Sequence, residues 1–148
     1  MLRLIATNRK AKYAFDILRK YTAGIVLKGT EVKALRQDKV RIEDSYARVV
    51  NSEVFIYDMY IGEYEHASIE SHETNRPRKL LLRKSEINRL ERDTQKKGAT
   101  IIPINIFFND KNYAKLTIAL ARGKDDVDKR ERIKKREAQR QIRKFTTG

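Results

Sequence analysis

The sequence predicts a mainly β fold, with a small antiparallel barrel, about three short flanking helices and a charged C-terminal tail. Apolar and β-branched residues alternate with period two through much of the chain, which is typical of strands with one buried face. The elements follow no repeated strand–helix–strand order, so an antiparallel sheet curled into a barrel fits better than a parallel sheet. At 148 residues the chain has the length of one domain with appendages.

The first predicted element is a helix over residues 8–21, with Asn8 placed as its N-cap. Its apolar positions follow the spacing of one helix face and are Ala11, Ala14, Phe15 and Leu18. An apolar run over residues 23–29 is predicted to form a buried strand. Thr30 is then placed to cap a second short helix, in which Val32 and Leu35 face inward.

Two hairpins and a third helix are predicted in the rest of the body. The first hairpin covers residues 40–61 and turns at Asn51-Ser52, and a long loop over residues 62–79 follows it. The third helix is capped by Ser85 and stopped by Gly98. It carries Ile87 and Leu90 on its buried face.

The last hairpin turns at residues 109–112. One strand is predicted to place Ile102, Ile104, Ile106 and Phe108 on a single face. The returning strand presents Ala114, Leu116, Ile118 and Leu120. Pro103 has no N–H to donate, so it is predicted to lie at a sheet edge or a bulge. Oligonucleotide-binding (OB) barrels are the natural comparison for this element order, although such a comparison rests on the fold alone.

Positive charge is concentrated at the two ends of the chain. The net charge is +14, of which residues 1–21 carry +5 and residues 122–148 carry +6. The hundred residues between them are nearly balanced, at +3. This asymmetry predicts a polyanionic partner, and nucleic acid is preferred over a membrane because the chain has no amphipathic anchor or acylation motif.

Composition also argues against several other classes of protein. The chain has no cysteine, which excludes disulfides and thiolate metal sites, and no apolar run reaches the length of a membrane span. We therefore expect a cytoplasmic protein. Nucleophile elbows, glycine-rich phosphate loops and zinc-protease motifs are absent from the sequence, so no enzyme, metal or cofactor is predicted. The histidines, His66 and His72, lie in the long loop, where a solvated polar loop is favoured over a metal site.

One cluster of cations in the body has two interpretations. Where the long loop meets the third helix the cations are Arg76, Arg78, Lys79, Arg83 and Lys84. They could form a phosphate site at the start of the helix, or they could only solvate the neighbouring apolar run. Tyr13 and Tyr21 are likewise candidates to stack on unpaired bases or to border the core.

Residues 123–148 form a basic tail after the body, which spans residues 1–122. The tail has no continuous apolar stripe, and Lys and Arg recur on all of its sides. Such a segment lacks the packing that stabilises helices in water, so we expect it to be disordered when free and helical when bound to phosphates. The alternative is a solvated basic tail with no specific partner.

Three separated strings resemble the SmpB family, the bacterial SsrA-binding proteins that partner transfer-messenger RNA (tmRNA). They are GIVLKGTEVKALR (24–36), RPRKLLLRKSEI (76–87) and IALARGKDDVDKRERIKKRE (118–137). The resemblance implies an OB-like barrel that binds the tRNA-like domain of tmRNA. It further implies delivery of that RNA, with elongation factor Tu, to stalled ribosomes. There the tail would enter the empty mRNA channel past the decoding centre.

The resemblance also implies a set of site residues. Those that would hold the RNA are Asn8, Lys10, Tyr13, Thr22, Glu31, Lys33, Arg36, Arg78, Lys79, Leu81 and Lys115. Those of the ribosome-binding tail are Lys124, Asp128, Lys129, Arg130, Ile133, Lys134, Lys135 and Arg136. Thr22 replaces a Glu that is usual in the family, and Val127 stands where a ring is frequent.

The expected protein is thus a monomeric, non-enzymatic RNA-binding adaptor for ribosome rescue. The alternative is a ribosomal protein or an initiation-type factor that binds small-subunit rRNA, since a barrel with basic ends would serve that role equally well.

Overall fold

Nine strands and three helices make up the part of the chain that the computed structural model describes, which is residues 2–63, 72–96 and 98–124. In chain order they are β1 (Arg3–Thr7), α1 (Lys10–Ala14), β2 (Phe15–Ile25), α2 (Gly29–Arg36), β3 (Val40–Arg41), β4 (Tyr46–Val50), β5 (Glu53–Tyr57), β6 (Tyr60–Ile61), β7 (Arg78–Leu81), α3 (Lys84–Thr94), β8 (Ala99–Phe108) and β9 (Ala114–Gly123). None of these helices is long and apolar enough to cross a membrane.

Six of the strands close into an antiparallel barrel. Around the barrel their order is β8, β4, β5, β7, β2 and β9, and the pairing of β9 with β8 completes the ring. One edge of β8 pairs with β4 near its start and with β1 near its end. Strand β1 therefore extends the sheet beside the barrel. Strands β3 and β6 form a separate small sheet. The predicted fold class, a mainly β barrel with three helices, is confirmed.

The segment predicted as a single helix over residues 8–21 is mostly strand, and that prediction is wrong. Only Lys10–Ala14 is helical, and β2 begins at once and pairs with β9 from Phe15 opposite Gly123 to Gly24 opposite Lys115. A bulge after Ile17 shifts the register and leaves Leu18 about half exposed. The helix-like spacing arose because Ala11 and Ala14 of the short helix are followed by Phe15 and the bulge residue Leu18, and strand pairing overrides local propensity after Ala14.

A bulge in β8 changes which of its alternating side chains face the core. The register with β9 shifts between Pro103 and Asn105, as the missing N–H of the proline predicted. Before the bulge Ile102 packs outside the barrel with Ala11 of α1, whereas after it Ile106 and Phe108 lie in the main core. The prediction that Ile102, Ile104, Ile106 and Phe108 share one face is therefore wrong, because the extra residue reverses the alternation.

The helices close the core with the side chains that their periodicity predicts. Leu35 of α2 and Leu90 of α3 are fully buried, and Val32 and Ile87 pack at their margins. The predicted caps are wrong by a few residues. Helix α2 begins at Gly29 rather than with Thr30 as its cap, and α3 begins at Lys84, so that Ser85 lies inside it. Gly98 adopts a left-handed φ of 81° beyond the helix end.

The β4–β5 hairpin turns at Asn51-Ser52, as predicted. Both residues have positive φ, 50° and 63°, which is the arrangement of a type I′ turn. Asparagine tolerates this region well, while serine pays a steric cost that glycine avoids.

Ser52→Gly is therefore expected to stabilise the protein by about 0.5–1 kcal/mol, since it removes the strain of a left-handed serine. Urea unfolding followed by circular dichroism measures the change. Ser52→Val is the matched control and is expected to lower stability. Equal stabilities of the glycine and valine variants would contradict the assignment of strain to this turn.

Candidate nucleic-acid interface

A buried carboxylate at the start of α2 organises one end of the barrel. Glu31 is fully buried and accepts hydrogen bonds from two arginines near the end of the segment predicted as a long loop. Arg76 donates from Nε at 3.2 Å to both carboxylate oxygens and from Nη2 at 2.5 Å, and Arg78 donates from Nε. The backbone N–H of Lys28 adds a bond of 2.7 Å, which fixes the first turn of the helix.

Arg78 is fully buried and ties several segments of backbone together. Its Nη1 donates to the carbonyl of Met59 at 2.6 Å, and its Nη2 donates to the carbonyl of Thr74 at 3.1 Å. A planar guanidinium with several fixed donors is suited to such a junction, and lysine could not reproduce it. The loop after residue 72, strand β7 and helix α2 are therefore held in one arrangement.

The ionisation of Glu31 follows from these contacts. Burial opposes ionisation, but the hydrogen bonds from Arg76, the Lys28 backbone and Arg78 outweigh it, so the pKa of the Glu31 carboxyl lies below its ordinary value. Burial also lowers the pKa of Arg78, and the carboxylate of Glu31 opposes that change. One carboxylate between two guanidinium groups leaves this three-residue network with a net charge of +1.

His72 belongs to the same end of the structure and is buried. Its Nδ1 lies 2.9 Å from Thr30 Oγ1, and its Nε2 lies 2.9 Å from the carbonyl oxygen of Ile61. The expectation of a solvated loop is therefore wrong at His72, which anchors the loop to α2. His66 lies outside the described residues, and those that are described contain no cluster of three His, Asp or Glu residues able to hold a metal ion.

Three residues that the resemblance placed on the RNA-holding surface lie in the interior. Glu31 and Arg78 are fully buried in the ion pair, and Asn8 is 3 % exposed. The Nδ2 of Asn8 donates 2.9 Å to the carbonyl of Pro103, which holds α1 against the β8 bulge. Their placement on the surface is thus corrected, because each side chain is buried and makes at least one internal hydrogen bond. Any effect they have on RNA binding would be through positioning.

An exposed surface surrounds Gly24 where β2, β7 and β9 meet. We call it the Gly24 surface, and its members are Thr22, Gly24, Lys79, Leu81 and Lys115. Leu81 is 53 % exposed and lies against Gly24, where an added Cβ would stand 3.3 Å from the Leu81 Cβ. Glycine therefore lets the leucine lie flat on the sheet. Lys115 stands opposite Gly24 on β9, and Lys79 contacts Glu53 at 2.9 Å. An apolar side chain between two lysines can contact sugar and phosphate together.

A second exposed surface lies at the other end of β2. We call it the tail-root surface, and it consists of Lys10, Lys12, Tyr13 and Lys124. Lys124, the last described residue, donates from its N–H to the Ala14 carbonyl at 3.1 Å and from Nζ to the Lys12 carbonyl at 2.9 Å. Tyr13 is 63 % exposed. A hydrogen bond from Lys10 to Asp44, 3.3 Å long, raises the pKa of the lysine.

The predicted site residues therefore divide between two separate surfaces. Phe15, at the tail root, and Gly24 are nine residues apart along one strand, which corresponds to roughly 30 Å. Lys33 and Arg36 are exposed on α2, which follows β2 at the Gly24 end. The remaining tail residues predicted to bind the ribosome, Asp128, Lys129, Arg130, Ile133, Lys134, Lys135 and Arg136, lie outside the described residues.

Sequence reasoning missed the Glu31–Arg76–Arg78 network and the role of Gly24. Arg76 and Arg78 were candidates for a phosphate site, but the structure pairs them with a carboxylate, so they do not supply one. The signal available in the sequence was a Glu three residues after Lys28, the position from which a carboxylate caps a helix start. The contact between Gly24 and Leu81 has no local signal, because it depends on strand register.

Comparisons with known proteins agree on one family. A family described as "SmpB protein" matches residues 5–147. The chain is 49 % identical to the SsrA-binding protein of Carboxydothermus hydrogenoformans over 144 residues, which cover 97 % of this chain and 96 % of the relative. It is 47 % identical to the SsrA-binding protein of Thermosipho melanesiensis over 147 residues, which cover 99 % and 100 %.

A solved structure is also similar. The work containing it is described as "tmRNA-SmpB: a journey to the center of the bacterial ribosome", and the matching chain is 45 % identical with a TM-score of 0.68. The match covers 80 % of this chain and 83 % of the other.

Glu31→Gln is expected to lower the free energy of unfolding by about 3–5 kcal/mol, because it leaves the buried Arg78 charge uncompensated. Urea unfolding at neutral pH measures the loss. Glu53→Gln is the matched control, since its partner Lys79 is partly exposed and the pair is expected to contribute no more than about 1 kcal/mol.

Acid should reproduce the effect in the unsubstituted protein. The folded pKa of Glu31 is lower than its ordinary value of 4.5. Its contribution is therefore full above the ordinary value and is lost as the pH falls through the folded value. The unsubstituted protein should lose stability below about pH 4.5 more steeply than Glu31→Gln does. Equal slopes for the two proteins in acid would contradict this account of the carboxylate.

Proposed function

Since the chain belongs to the SmpB family, we propose that it is an RNA-binding adaptor in trans-translation, which binds tmRNA and acts with it on the ribosome. The observation that carries the proposal is the presence of two exposed basic surfaces at opposite ends of one long strand. An adaptor needs two such surfaces, whereas a protein with one RNA partner needs only one.

The Gly24 surface is proposed to hold tmRNA. It combines exposed Leu81 with Lys79 and Lys115 on a rigid sheet, and α2 adds Lys33 and Arg36 at the same end. RNA with a folded shape is recognised largely through phosphate and ribose contacts, which these side chains can supply. The buried network of Glu31 and Arg78 would then act by holding α2 and β7 in place.

The tail-root surface is proposed to face the ribosome. Lys124 is hydrogen-bonded to α1, so the chain leaves the barrel beside exposed Tyr13. From this point the tail, including Asp128 and Lys129, would enter the empty mRNA channel near the decoding centre. We further propose that the chain is a cytoplasmic monomer that catalyses no reaction. Elongation factor Tu would be the other protein of the delivery complex.

A ribosomal protein or initiation-type factor is the weaker alternative. Such a protein would be present on every small subunit, whereas an adaptor would be bound to only a fraction of ribosomes. The similarity to SsrA-binding proteins over nearly the whole chain favours the adaptor.

Lys115→Ala and Leu81→Ala are both expected to weaken binding to tmRNA, but in different ways. Loss of one phosphate contact should reduce the salt dependence of log K by about 0.7–0.9, so the effect of Lys115→Ala should fade at high salt. Leu81→Ala should weaken binding by about tenfold at every salt concentration, because it removes packing rather than charge. Filter binding across a salt series measures both quantities.

Arg92→Ala is the charge-matched control for Lys115→Ala. Its guanidinium is exposed on α3, which contributes no residue to the Gly24 surface, and no change in tmRNA affinity is expected. If the three variants bind tmRNA as tightly as the unsubstituted chain, the Gly24 surface is not the tmRNA site.

Truncation after Lys124 is expected to leave tmRNA binding within about threefold of the full chain while abolishing the tagging of stalled peptides. The two surfaces are far apart, and the tail leaves from the one that faces the ribosome. A tagging assay with a message that lacks a stop codon measures the second effect. Loss of tmRNA binding on truncation would show that the proposed division between the two surfaces is incorrect.

A further inference from the structure

Three aromatic residues lie on the outer face of β4 and β5, outside both surfaces already described. Tyr46 is directly opposite Tyr57, and their rings stack with centroids 5.5 Å apart and planes 22° from parallel. Phe55 follows on the same face of β5 and is half-buried. Tyr46 remains 37 % exposed. The core does not require this face, since Ala47, Val54 and Ile56 fill the interior from the same strands.

A groove opens beside Tyr46 because the barrel is loosely paired there. Strand β4 is paired with β8 only at Ala47 opposite Ile101, and the gap between them has a volume of about 480 Å³. Its lining includes Tyr46 and Arg48 on one side and Thr94 and Thr100 on the other. Small-molecule sites begin at roughly 300 Å³, so the groove has room for a nucleotide.

The charges on this face are arranged around the aromatic rings. Phe55 lies between Arg48 on β4 and Lys79 on β7, each directly opposite it in the strand register. Lys79 is partnered by Glu53 at 2.9 Å, and Lys96 near the groove is partnered by Asp93 at 3.7 Å. Arg48 is exposed and makes no ion pair with any residue that the structure describes. It is therefore the cation that a phosphate would meet first.

We propose that this face, consisting of Tyr46, Arg48, Phe55 and Tyr57 with the groove beside them, binds a segment of unpaired RNA. A base would stack on the open face of Tyr46 and extend the tyrosine pair, while Arg48 contacts an adjacent phosphate. The inference rests on the proposed function in that it takes RNA as the partner. Lys79 of the Gly24 surface lies directly opposite Phe55 of this face, so RNA held at one can continue onto the other.

The chemistry of the face favours unpaired RNA over its competitors. Bases in a duplex are stacked on one another and cannot cover an aromatic side chain, whereas an unpaired base can. A stable protein partner would require an apolar surface much larger than one exposed tyrosine and its half-buried neighbours. The high positive charge of the chain also favours a polyanion.

The test uses the full chain with fluorescein-labelled oligouridylate and with an RNA duplex that carries the same number of phosphates. Tyr46→Leu should weaken oligouridylate binding by about tenfold, since stacking on one base accounts for a change of this size, and should leave duplex binding unchanged. Arg48→Ala should weaken both and lower the salt slope by about 0.7. Tyr113→Leu, at the exposed tip of the β8–β9 hairpin, and Arg92→Ala are the matched controls.

The proposal is overturned if the unsubstituted chain does not bind oligouridylate, or if Tyr46→Leu and Arg48→Ala bind it as tightly as the controls. It is also overturned if all four variants weaken equally, since binding would then depend on total charge or stability. Affinity for tmRNA is measured on the same samples. If tmRNA binding is intact and any of these outcomes is observed, the proposal for this face is wrong and the proposed function still stands. If the unsubstituted chain does not bind tmRNA, the proposed function itself is wrong.

Discussion

The position of α2 and β7 depends on one buried carboxylate between two arginines. Glu31 belongs to the first turn of a helix, and Arg78 belongs to a strand on the barrel wall, so their contact fixes how the helix caps the barrel. Because an unpaired buried charge costs several kcal/mol, removal of either partner alone would destabilise the protein. Arg78 also bonds the carbonyls of Met59 and Thr74, which would otherwise need water. The exposed residues of β7, Lys79 and Leu81, are held in register by the buried residue that precedes them.

Strand β2 connects the two ends of the barrel wall. It pairs with β9 along nearly its whole length and with β7 at its far end, so its backbone is hydrogen-bonded to neighbouring strands and does not bend freely. The Gly24 surface and the tail root are attached to its two ends. The two regions proposed to contact RNA are thus kept at a constant separation by hydrogen-bonded backbone, and a change at one cannot be relieved by a hinge at the other.

How far the sequence could predict this structure depended on whether a pattern was local. Period-two alternation located the β4–β5 and β8–β9 hairpins, and the left-handed tolerance of Asn51 located a turn, because both signals are carried by neighbouring residues. The same reasoning gave wrong predictions at the bulges of Leu18 and Ile104. One extra residue made the pattern around Leu18 resemble a helix, and at Ile104 it exchanged the two faces of the strand. The Glu31–Arg78 pair joins residues 47 positions apart and leaves no periodic signal at all. Charge asymmetry predicted a polyanionic partner, but the two surfaces became separate only when the length of β2 was known.

Thr22 shows how a single position alters the balance of forces on the Gly24 surface. It lies opposite Thr117 on β9 and diagonal to Lys115, a separation at which long side chains still interact. The glutamate that the family resemblance implies at this position would place a carboxylate within reach of that lysine and would also accept hydrogen bonds from RNA. Two facing threonines remove the carboxylate and leave the charge of Lys115 without an acidic neighbour on the adjacent strand. In its proposed role of holding RNA, the surface would therefore rely more on attraction to phosphate, which is strong but indifferent to sequence, and less on an oriented acceptor. The proposed RNA binding would then depend for its specificity on the shape of the sheet, on which Leu81 lies flat against Gly24.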